Sequence, residues 1–212
     1  MELTPKVRAW RTFECLDLIS PSSITFLTQK EPFELLISVI MSAQTTDKQV
    51  NEVAHELFSR YPNAFELAQA DLEIVKQIIR STGYYNAKAK HIVQTSQVLV
   101  KKFNGLVPLT MEELTTLPGV GRKTASVILG QIAGQPAIIV DTHFSRVVKR
   151  LGLSSANSPD TIEREVAKLL PPEHHYRFSM IVNLHGRKIC HARNPQCEEC
   201  PLALWCMSYP IQ

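Results

Sequence analysis

The 212-residue chain is long enough for one large domain or two small ones, and 44% of it is hydrophobic, so a substantial core can form. The formal net charge of +3 excludes a histone-like polycation but permits a locally basic face. No run of about 18 apolar residues occurs, so we expect no membrane span. The opening residues, MELTPKVRAWRTF, lack an apolar core and a small-residue cleavage site, which predicts no signal peptide and a reducing, cytoplasmic compartment.

Apolar residues recur with a helical period along most of the chain, and no segment alternates convincingly. The short apolar run at 137–140 resembles a strand but has no evident partner. The sequence therefore predicts an all-α fold. The expected helical stripes are Phe33–Ile40, Val50–Phe58, Leu72–Ile79 after an Asp71 cap, Ala89–Phe103, Phe144–Leu151, Ile162–Leu170 and a last helix from about Glu173 to Ile189.

A glycine-rich turn lies between two helical segments at Leu117–Gly121. Thr110 and Glu113 have capping-box spacing, so a short helix should begin at Met111 and end before Pro118. Gly119 and Gly121 allow positive φ and a close approach of the backbone to a partner. The turn, the start of the next helix and the charges of Arg122 and Lys123 suit a nucleic-acid phosphate. An ordinary helical hairpin with two solvated basic residues is the alternative.

The longer string LPGVGRKTA, followed by V-D-T-H at 140–143, resembles the helix-hairpin-helix DNA glycosylases, in particular the endonuclease III family. The resemblance runs from about residue 32 to residue 206. It implies two helical lobes with a DNA-binding cleft. One is a helical barrel of residues 22–135 with the helix-hairpin-helix at about 111–132, and the other combines residues 1–21 with 136–212.

The resemblance places the family's catalytic lysine on Lys123 and its aspartate on Asp141. An amine can attack C1′ of a damaged nucleotide, expel the base and leave a Schiff base that permits elimination. Arg122 and the helix start disfavour the ammonium form of Lys123. Asp141 would handle protons and stabilise positive charge on the sugar. A solvated or phosphate-pairing lysine and a helix-capping aspartate are the alternatives.

A glycosylase exposes its target nucleotide, and the gap left behind must be filled. The resemblance assigns this role to Gln44, in an S-A-Q loop, and to Tyr84, which follows Gly83. The family commonly has leucine at the position of Tyr84, so the preference for the opposite base stays open. Otherwise Gln44 caps a loop and Tyr84 packs at a helix junction. His143 is a candidate phosphate contact, whereas Lys88 is expected on a solvated helix face or in the backbone groove.

Four cysteines, Cys190, Cys197, Cys200 and Cys206, are spaced C-x6-C-x2-C-x5-C. Four thiolates can hold either zinc or a [4Fe–4S] cluster, and the count does not choose between them. The spacing resembles the cluster loop of endonuclease III, which implies a [4Fe–4S] cluster. The flanking basic residues are candidate phosphate contacts, and the fifth cysteine, Cys15, is expected to be buried. These basic residues are Arg187, Lys188 and Arg193.

The resemblance implies a bifunctional DNA N-glycosylase and apurinic/apyrimidinic (AP) lyase that removes oxidised pyrimidines in base-excision repair. One alternative is a monofunctional mismatch or adenine glycosylase, which typically lacks a lysine at position 123. Another is a non-catalytic iron–sulfur DNA-binding module. The expected partner is duplex DNA with damaged bases or abasic sites, bound by a monomer in the cytoplasm and, in a prokaryote, at the nucleoid.

Overall fold

A computed structural model describes residues 3–209, and within that range the chain is helical, with no β-strand. The prediction of an all-α fold is confirmed. The α-helices are α1 Pro5–Ile19, α2 Pro32–Met41, α3 Asp47–Arg60, α4 Ala64–Ala68, α5 Leu72–Ile78, α6 Tyr85–Phe103, α7 Met111–Leu114, α8 Arg122–Ala133, α9 Thr142–Arg150, α10 Pro159–Ala167 and α11 His175–Lys188. Short 3₁₀ turns occur at Arg80–Thr82, Pro172–His174 and Ala203–Trp205.

Helix starts follow local sequence chemistry. Proline occupies the first turn of α1, α2 and α10, where its missing N–H leaves no bond unmade. The hydroxyl of Thr46 accepts the N–H of Gln49 and begins α3, and the carboxylate of Asp71 accepts the N–H of Glu73 and begins α5. These caps satisfy backbone donors that the first helical turn leaves without partners.

The chain forms two compact units. One is Thr25–Ala133, and the other joins Met1–Ile24 to Gly134–Gln212, of which residues 3–24 and 134–209 are described. In Thr25–Ala133, α2 lies at the centre, because it packs against α3, α6 and α8 and every residue from Leu35 to Met41 is buried. A helix that is apolar on all sides is stable only inside such a core.

The other unit is built around α9 and α11. Phe144 of α9 and Phe178 of α11 are fully buried and meet edge to face with ring centroids 6.1 Å apart. Gly186 allows this close packing, since a Cβ there would lie 3.1 Å from the Cβ of His143. Helix α1 packs on α11, and Arg177 of α11 donates to Asp17 of α1 at 2.6 Å.

Several elements differ from the predicted pattern. Helices α1 and α4 lie outside the apolar stripes that the sequence predicts. The run 137–140 is buried but pairs with no strand in the described part of the chain. The last helix begins at His175, after a 3₁₀ turn, rather than at Glu173. In residues 3–209 no helix is both long enough and apolar enough to cross a bilayer.

Candidate functional site

The glycine turn at Leu117–Gly121 is held rigidly against α6. Thr110 caps α7 as its spacing from Glu113 predicts: its hydroxyl accepts the N–H of Glu113 at 3.2 Å and donates to the Glu113 carboxylate at 2.8 Å. The hydroxyl of Thr95 on α6 donates to the carbonyl of Pro118 at 2.7 Å. Gly119 has φ of +77°, and a Cβ there would lie 2.9 Å from the Cβ of His91. Gly119 is therefore required by both conformation and space.

Gly121 does not use the conformational freedom that glycine allows. Its φ is not positive, and no neighbouring atom lies within 4 Å of where its Cβ would stand. The fold therefore does not require glycine at this position, and the open space permits close approach of an external group. Helix α8 begins at the next residue, and its first-turn residues Arg122 and Lys123 are both exposed. The backbone amides of this turn carry partial positive charge at the same place.

Asp141 is the N-cap of α9. Its Oδ1 accepts the N–H of Phe144 at 2.8 Å, and its Oδ2 lies 3.9 Å from Nη2 of Arg187. The side chain is 17% exposed. Asp141 therefore does cap a helix, which was the alternative to a catalytic role. The cap uses only Oδ1 and leaves Oδ2 next to the guanidinium of Arg187. Lys123 and Asp141 belong to different units of the chain.

His143 lies within a network of side chains and backbone carbonyls. Its Nδ1 is 3.3 Å from Nη2 of Arg146. That same guanidinium donates to the carbonyls of Gly186 at 2.8 Å and of Cys190 at 3.0 Å, which ties α9 to α11 and to the cysteine segment. Sequence reasoning missed Arg146, although a basic residue three positions after His143 on a helix was the available signal.

Gln44 and Tyr84 share an uncommon backbone conformation. Their φ values are +54° and +49°, both in the left-handed region that few residues other than glycine adopt. Both residues are exposed, and Tyr84 reaches 71%. Tyr84 therefore does not pack at a helix junction. An exposed aromatic ring on a constrained backbone can stack on a nucleobase.

Lys88 is not on a solvated face or in an open groove. It is 4% exposed, and its ammonium donates to Thr45 Oγ1 at 2.6 Å and to the carbonyl of Thr82 at 2.8 Å. Burial lowers the pKa of Lys88 from its ordinary value of 10.5. The prediction of a solvated helix face was wrong because Lys88 lies four residues before the buried Ile92 and thus on the same helix face.

The four C-terminal cysteines line one pocket whose remaining walls are largely apolar. All five cysteines of the chain are free thiols, and Cys15 is half-buried rather than fully buried. Arg150 donates to Cys190 Sγ at 3.2 Å and to the carbonyl of His191 at 2.6 Å. These bonds fasten the cysteine segment to α9. The pocket is lined by Cys190, Cys197, Cys200 and Cys206 together with Val147, Leu151, Ile189 and Leu202.

The donor set suits a cluster of metal ions. Burial, with a smaller contribution from the other three thiols, raises the pKa of Cys200 to about 11, and burial also raises the pKa of Cys206. Thiols that resist ionisation need nearby positive charge to become thiolate ligands, and bound iron would supply it. Within residues 3–209 no three histidine, cysteine or acidic side chains are grouped so as to hold a single metal ion.

His185, for which the sequence suggested no role, is buried beside this pocket. Its Nε2 lies 3.6 Å from Cys200 Sγ, and burial lowers its pKa to about 4.

Among the basic residues predicted near the cysteines, Lys188 and Arg193 are exposed. Arg187 instead donates to Asn183 Oδ1 at 2.7 Å and lies beside Asp141.

Two family models match the chain. Residues 37–172 match the HhH-GPD superfamily of base excision DNA repair proteins, and residues 190–206 match the iron–sulfur binding domain of endonuclease III. The first match contains the glycine turn, Lys123 and Asp141, and the second contains all four cysteines of the pocket.

Whole-length relatives are similar over nearly the entire chain. Endonuclease III of Synechocystis sp. is 44% identical over 204 residues, covering 96% of this chain and 93% of the relative. Endonuclease III of Bacillus subtilis is 40% identical over 200 residues, covering 91% and 90%.

Solved structures give the same result in three dimensions. A trapped covalent intermediate of endonuclease III with DNA superposes with a TM-score of 0.90 at 40% identity, covering 96% of each chain. A non-covalent endonuclease III–DNA complex superposes with a TM-score of 0.89, also at 40% identity, covering 96% and 95%. A thermostable thymine-DNA glycosylase shares the fold, with a TM-score of 0.82 at 22% identity.

Proposed function

The chain belongs to the endonuclease III family of base-excision DNA repair proteins, and we propose that Lys123 is its catalytic nucleophile. It is a bifunctional DNA N-glycosylase and AP lyase, and its cofactor is a [4Fe–4S] cluster. The assignment of Lys123 depends on where this residue lies in the structure. The residue is exposed in the first turn of α8, two positions after the open Gly121.

The proposed reaction needs an amine that can reach C1′. The Lys123 nitrogen forms a bond to C1′ as the glycosidic bond breaks, and the electron pair of that bond leaves with the base, which takes up a proton. The sugar ring opens to a protonated imine, which acidifies the C2′ proton. Loss of that proton forms a double bond and expels the 3′ phosphate. Water then hydrolyses the imine and restores the lysine.

Asp141 is proposed to handle protons and to stabilise positive charge on the sugar. Its Oδ1 is engaged in the cap of α9, so its Oδ2 is the oxygen for this work. Nη2 of Arg187 lies 3.9 Å from this oxygen, so a positive charge stands beside it. A carboxylate oxygen placed near the sugar can accept a proton during the reaction.

Gln44 and Tyr84 are proposed to occupy the gap that an extruded nucleotide leaves in the duplex. Both residues have a left-handed backbone, and the amide of Gln44 and the ring of Tyr84 are exposed rather than packed in the core of the Thr25–Ala133 unit. The glutamine amide can donate to and accept from an orphaned base, and the tyrosine ring can stack between neighbouring bases.

The DNA backbone is proposed to contact the hairpin and the cysteine segment. At the hairpin, backbone amides near Gly119 and Gly121 and the charge of Arg122 would bind a phosphate. At the cysteine segment, exposed Lys188 and Arg193 would bind another. His143 and Arg187 stand as further contacts, although both also have intramolecular partners.

Cys190, Cys197, Cys200 and Cys206 are proposed as the ligands of the cluster. When bound, iron would supply the positive charge that keeps the four thiols ionised, and it would tie down the segment at 190–206. The chain's own part is to fasten that segment through Arg146 and Arg150, whose guanidinium groups bind its carbonyls. We propose a structural role for the cluster, because the segment contributes only Cys190 and Leu202 as buried residues to the core.

The proposed substrate is duplex DNA with oxidised pyrimidines or abasic sites. The presence of lysine at position 123 supports this bifunctional chemistry over that of a monofunctional mismatch or adenine glycosylase. The protein is proposed to act as a monomer at the nucleoid, and its sedimentation with and without an oligonucleotide would test that state.

Borohydride trapping tests the assignment of Lys123. Wild type and Lys123→Gln are incubated with a duplex that carries one thymine glycol, and the imine is reduced to a stable adduct. We expect an adduct with wild type and with Lys102→Gln, a matched exposed lysine on α6, but not with Lys123→Gln, whose DNA affinity stays within about threefold of wild type. Strand cleavage by Lys123→Gln would overturn the assignment. Base release by the wild type without any adduct would identify a monofunctional enzyme.

A further inference from the structure

Lys88, Thr45 and Thr82 form a closed hydrogen-bonded ring beneath two loops. The Lys88 ammonium donates to the Thr45 hydroxyl at 2.6 Å and to the Thr82 carbonyl at 2.8 Å. The Thr45 hydroxyl also donates to the Thr82 carbonyl. We call these three residues the lysine ring. Each member contacts the other two, so the ring determines the distance between the two backbone segments that carry the threonines.

The lysine ring joins the segments that carry Gln44 and Tyr84. Gln44 directly precedes Thr45 in the link between α2 and α3, and Tyr84 follows Thr82 by two residues, at the start of α6. A second contact lies beside the ring, where Gln49 Nε2 donates to Ser81 Oγ at 2.8 Å. Both exposed side chains therefore extend from backbone that is fixed from below.

A buried ammonium is costly in a core, and a hydrophobic residue would fill the same space without that cost. Lys88 is 4% exposed, and both of its acceptors are neutral. Its three donors can bind two loops at once, which no apolar side chain can do. A lysine at this position therefore serves to hold the two loops at a fixed distance from each other.

We propose that Lys88 is a positioning residue that fixes the relative placement of Gln44 and Tyr84 before DNA binds. The inference rests on the proposed role of these two residues in filling the gap. Two side chains that enter one duplex must be held at a set separation, and holding them in advance removes the ordering cost from the extrusion step. Lys88 itself touches neither the DNA nor the reacting atoms in this scheme.

The test measures extrusion separately from chemistry. A 2-aminopurine beside the target nucleotide reports extrusion through its fluorescence, and borohydride trapping on a single-stranded abasic oligonucleotide reports the Lys123 chemistry, since that substrate has no gap to fill. We expect Lys88→Met and Thr45→Val to slow extrusion by about 10–100-fold. Both should leave trapping on the single strand at the wild-type level.

Two matched controls accompany these variants. Thr45→Ser keeps the hydroxyl and is expected to restore extrusion to within about threefold of wild type. Lys101→Met removes an exposed lysine elsewhere on α6 and is expected to behave as wild type. Because Thr45→Val leaves the ammonium in place and Lys88→Met leaves the hydroxyl, agreement between the two variants excludes a folding defect peculiar to either one.

Double variants distinguish this inference from the proposed function. In a background of Gln44→Ala with Tyr84→Ala, Lys88→Met should cause no further slowing, because there is nothing left to position. Full additivity would overturn the inference, as would normal extrusion by Lys88→Met in the wild-type background. If Gln44→Ala and Tyr84→Ala themselves left extrusion unchanged, the proposed gap filling would fail, and this inference would fail with it.

Discussion

The carboxylate of Asp141 is divided between two partners. Its Oδ1 accepts the N–H of Phe144 at 2.8 Å and starts α9, whereas its Oδ2 lies 3.9 Å from Nη2 of Arg187 on α11. One residue therefore has a structural oxygen and a second oxygen that is available for chemistry. The two roles can be separated by substitution, because an amide can cap a helix but cannot act as a carboxylate base.

Asp141→Asn is expected to lower the rate of base release by about 10²–10⁴-fold while leaving the free energy of unfolding nearly unchanged. The amide oxygen still accepts the N–H of Phe144, but the negative charge is gone. Asp141→Ala should lose the cap as well and cost about 1 kcal/mol of stability. Single-turnover kinetics and urea unfolding measure the two effects. Equal stability losses in both variants would contradict the assignment of the cap to Oδ1.

The two glycines of the hairpin should respond differently to alanine. Gly119→Ala forces a Cβ to within 2.9 Å of the Cβ of His91 at a φ of +77°, so we expect a loss of about 2–3 kcal/mol in stability. Gly121→Ala meets no atom within 4 Å and should cost less than about 1 kcal/mol. It should nevertheless weaken DNA binding, because the added methyl lies where a phosphate would approach. Normal affinity of Gly121→Ala would rule out that approach.

Much of the fold follows from sequence periodicity, and the exceptions have physical causes. Helix α1 buries Arg8 and Thr12 on its inner face, so no continuous apolar stripe marks it. Arg8 is stable there because its guanidinium donates to the carbonyl of Leu151 at 3.0 Å. Helix α4 has only 5 residues, too few to show a helical period. Such elements depend on contacts with distant segments, which a local pattern does not contain.

In the candidate site, too, some features follow from local sequence and others depend on contacts with distant segments. The helix start at Met111, capped by Thr110, follows from local spacing and was predicted correctly. The different roles of the two glycines could not be predicted, because they look alike in sequence although only Gly119 has a positive φ and packs against a neighbouring helix. The burial of Lys88 depends on acceptors 43 and 6 residues away along the chain. The four-residue spacing between Lys88 and Ile92 indicated that Lys88 lies on the buried face of the helix. A lysine, judged by residue type alone, is expected to be exposed to solvent.

Cysteine substitutions should separate cluster ligands from the fifth cysteine. Cys197→Ala removes one thiolate and is expected to lower the iron content and the unfolding temperature, since cluster binding and folding of the 190–206 segment are coupled. Cys15→Ala is the matched control. Cys15 is half-buried and lies 3.7 Å from the carbonyl of Pro201, outside the pocket of four thiols. Iron and sulfide analysis of both purified variants measures the difference. Wild-type iron content in Cys197→Ala would remove it from the ligand set.

Glu34 gives stability a defined pH dependence. Burial, and then the nearby Glu31, raise the pKa of Glu34 above its ordinary value of 4.5. The native state therefore holds this proton more tightly than the unfolded state, so the favourable contribution is complete below pH 4.5 and is lost as pH rises through the native pKa. Glu34→Gln cannot ionise and should be more stable than wild type at neutral pH. Urea unfolding across this range measures the gain, which should disappear in acid; a gain independent of pH would point to another cause.

Phosphate contacts at the cysteine segment predict a salt dependence that can be assigned to single residues. The logarithm of the DNA association constant should fall linearly with the logarithm of salt concentration, with a slope of about −0.9 for each phosphate neutralised in a duplex. Lys188→Ala and Arg193→Ala should each reduce the magnitude of that slope by about 1. Lys168→Ala, an exposed lysine at the end of α10, is the control and should leave the slope unchanged. Fluorescence anisotropy at several salt concentrations supplies the slopes. If all three variants shift the slope equally, the effect comes from net charge rather than from contacts at the cysteine segment.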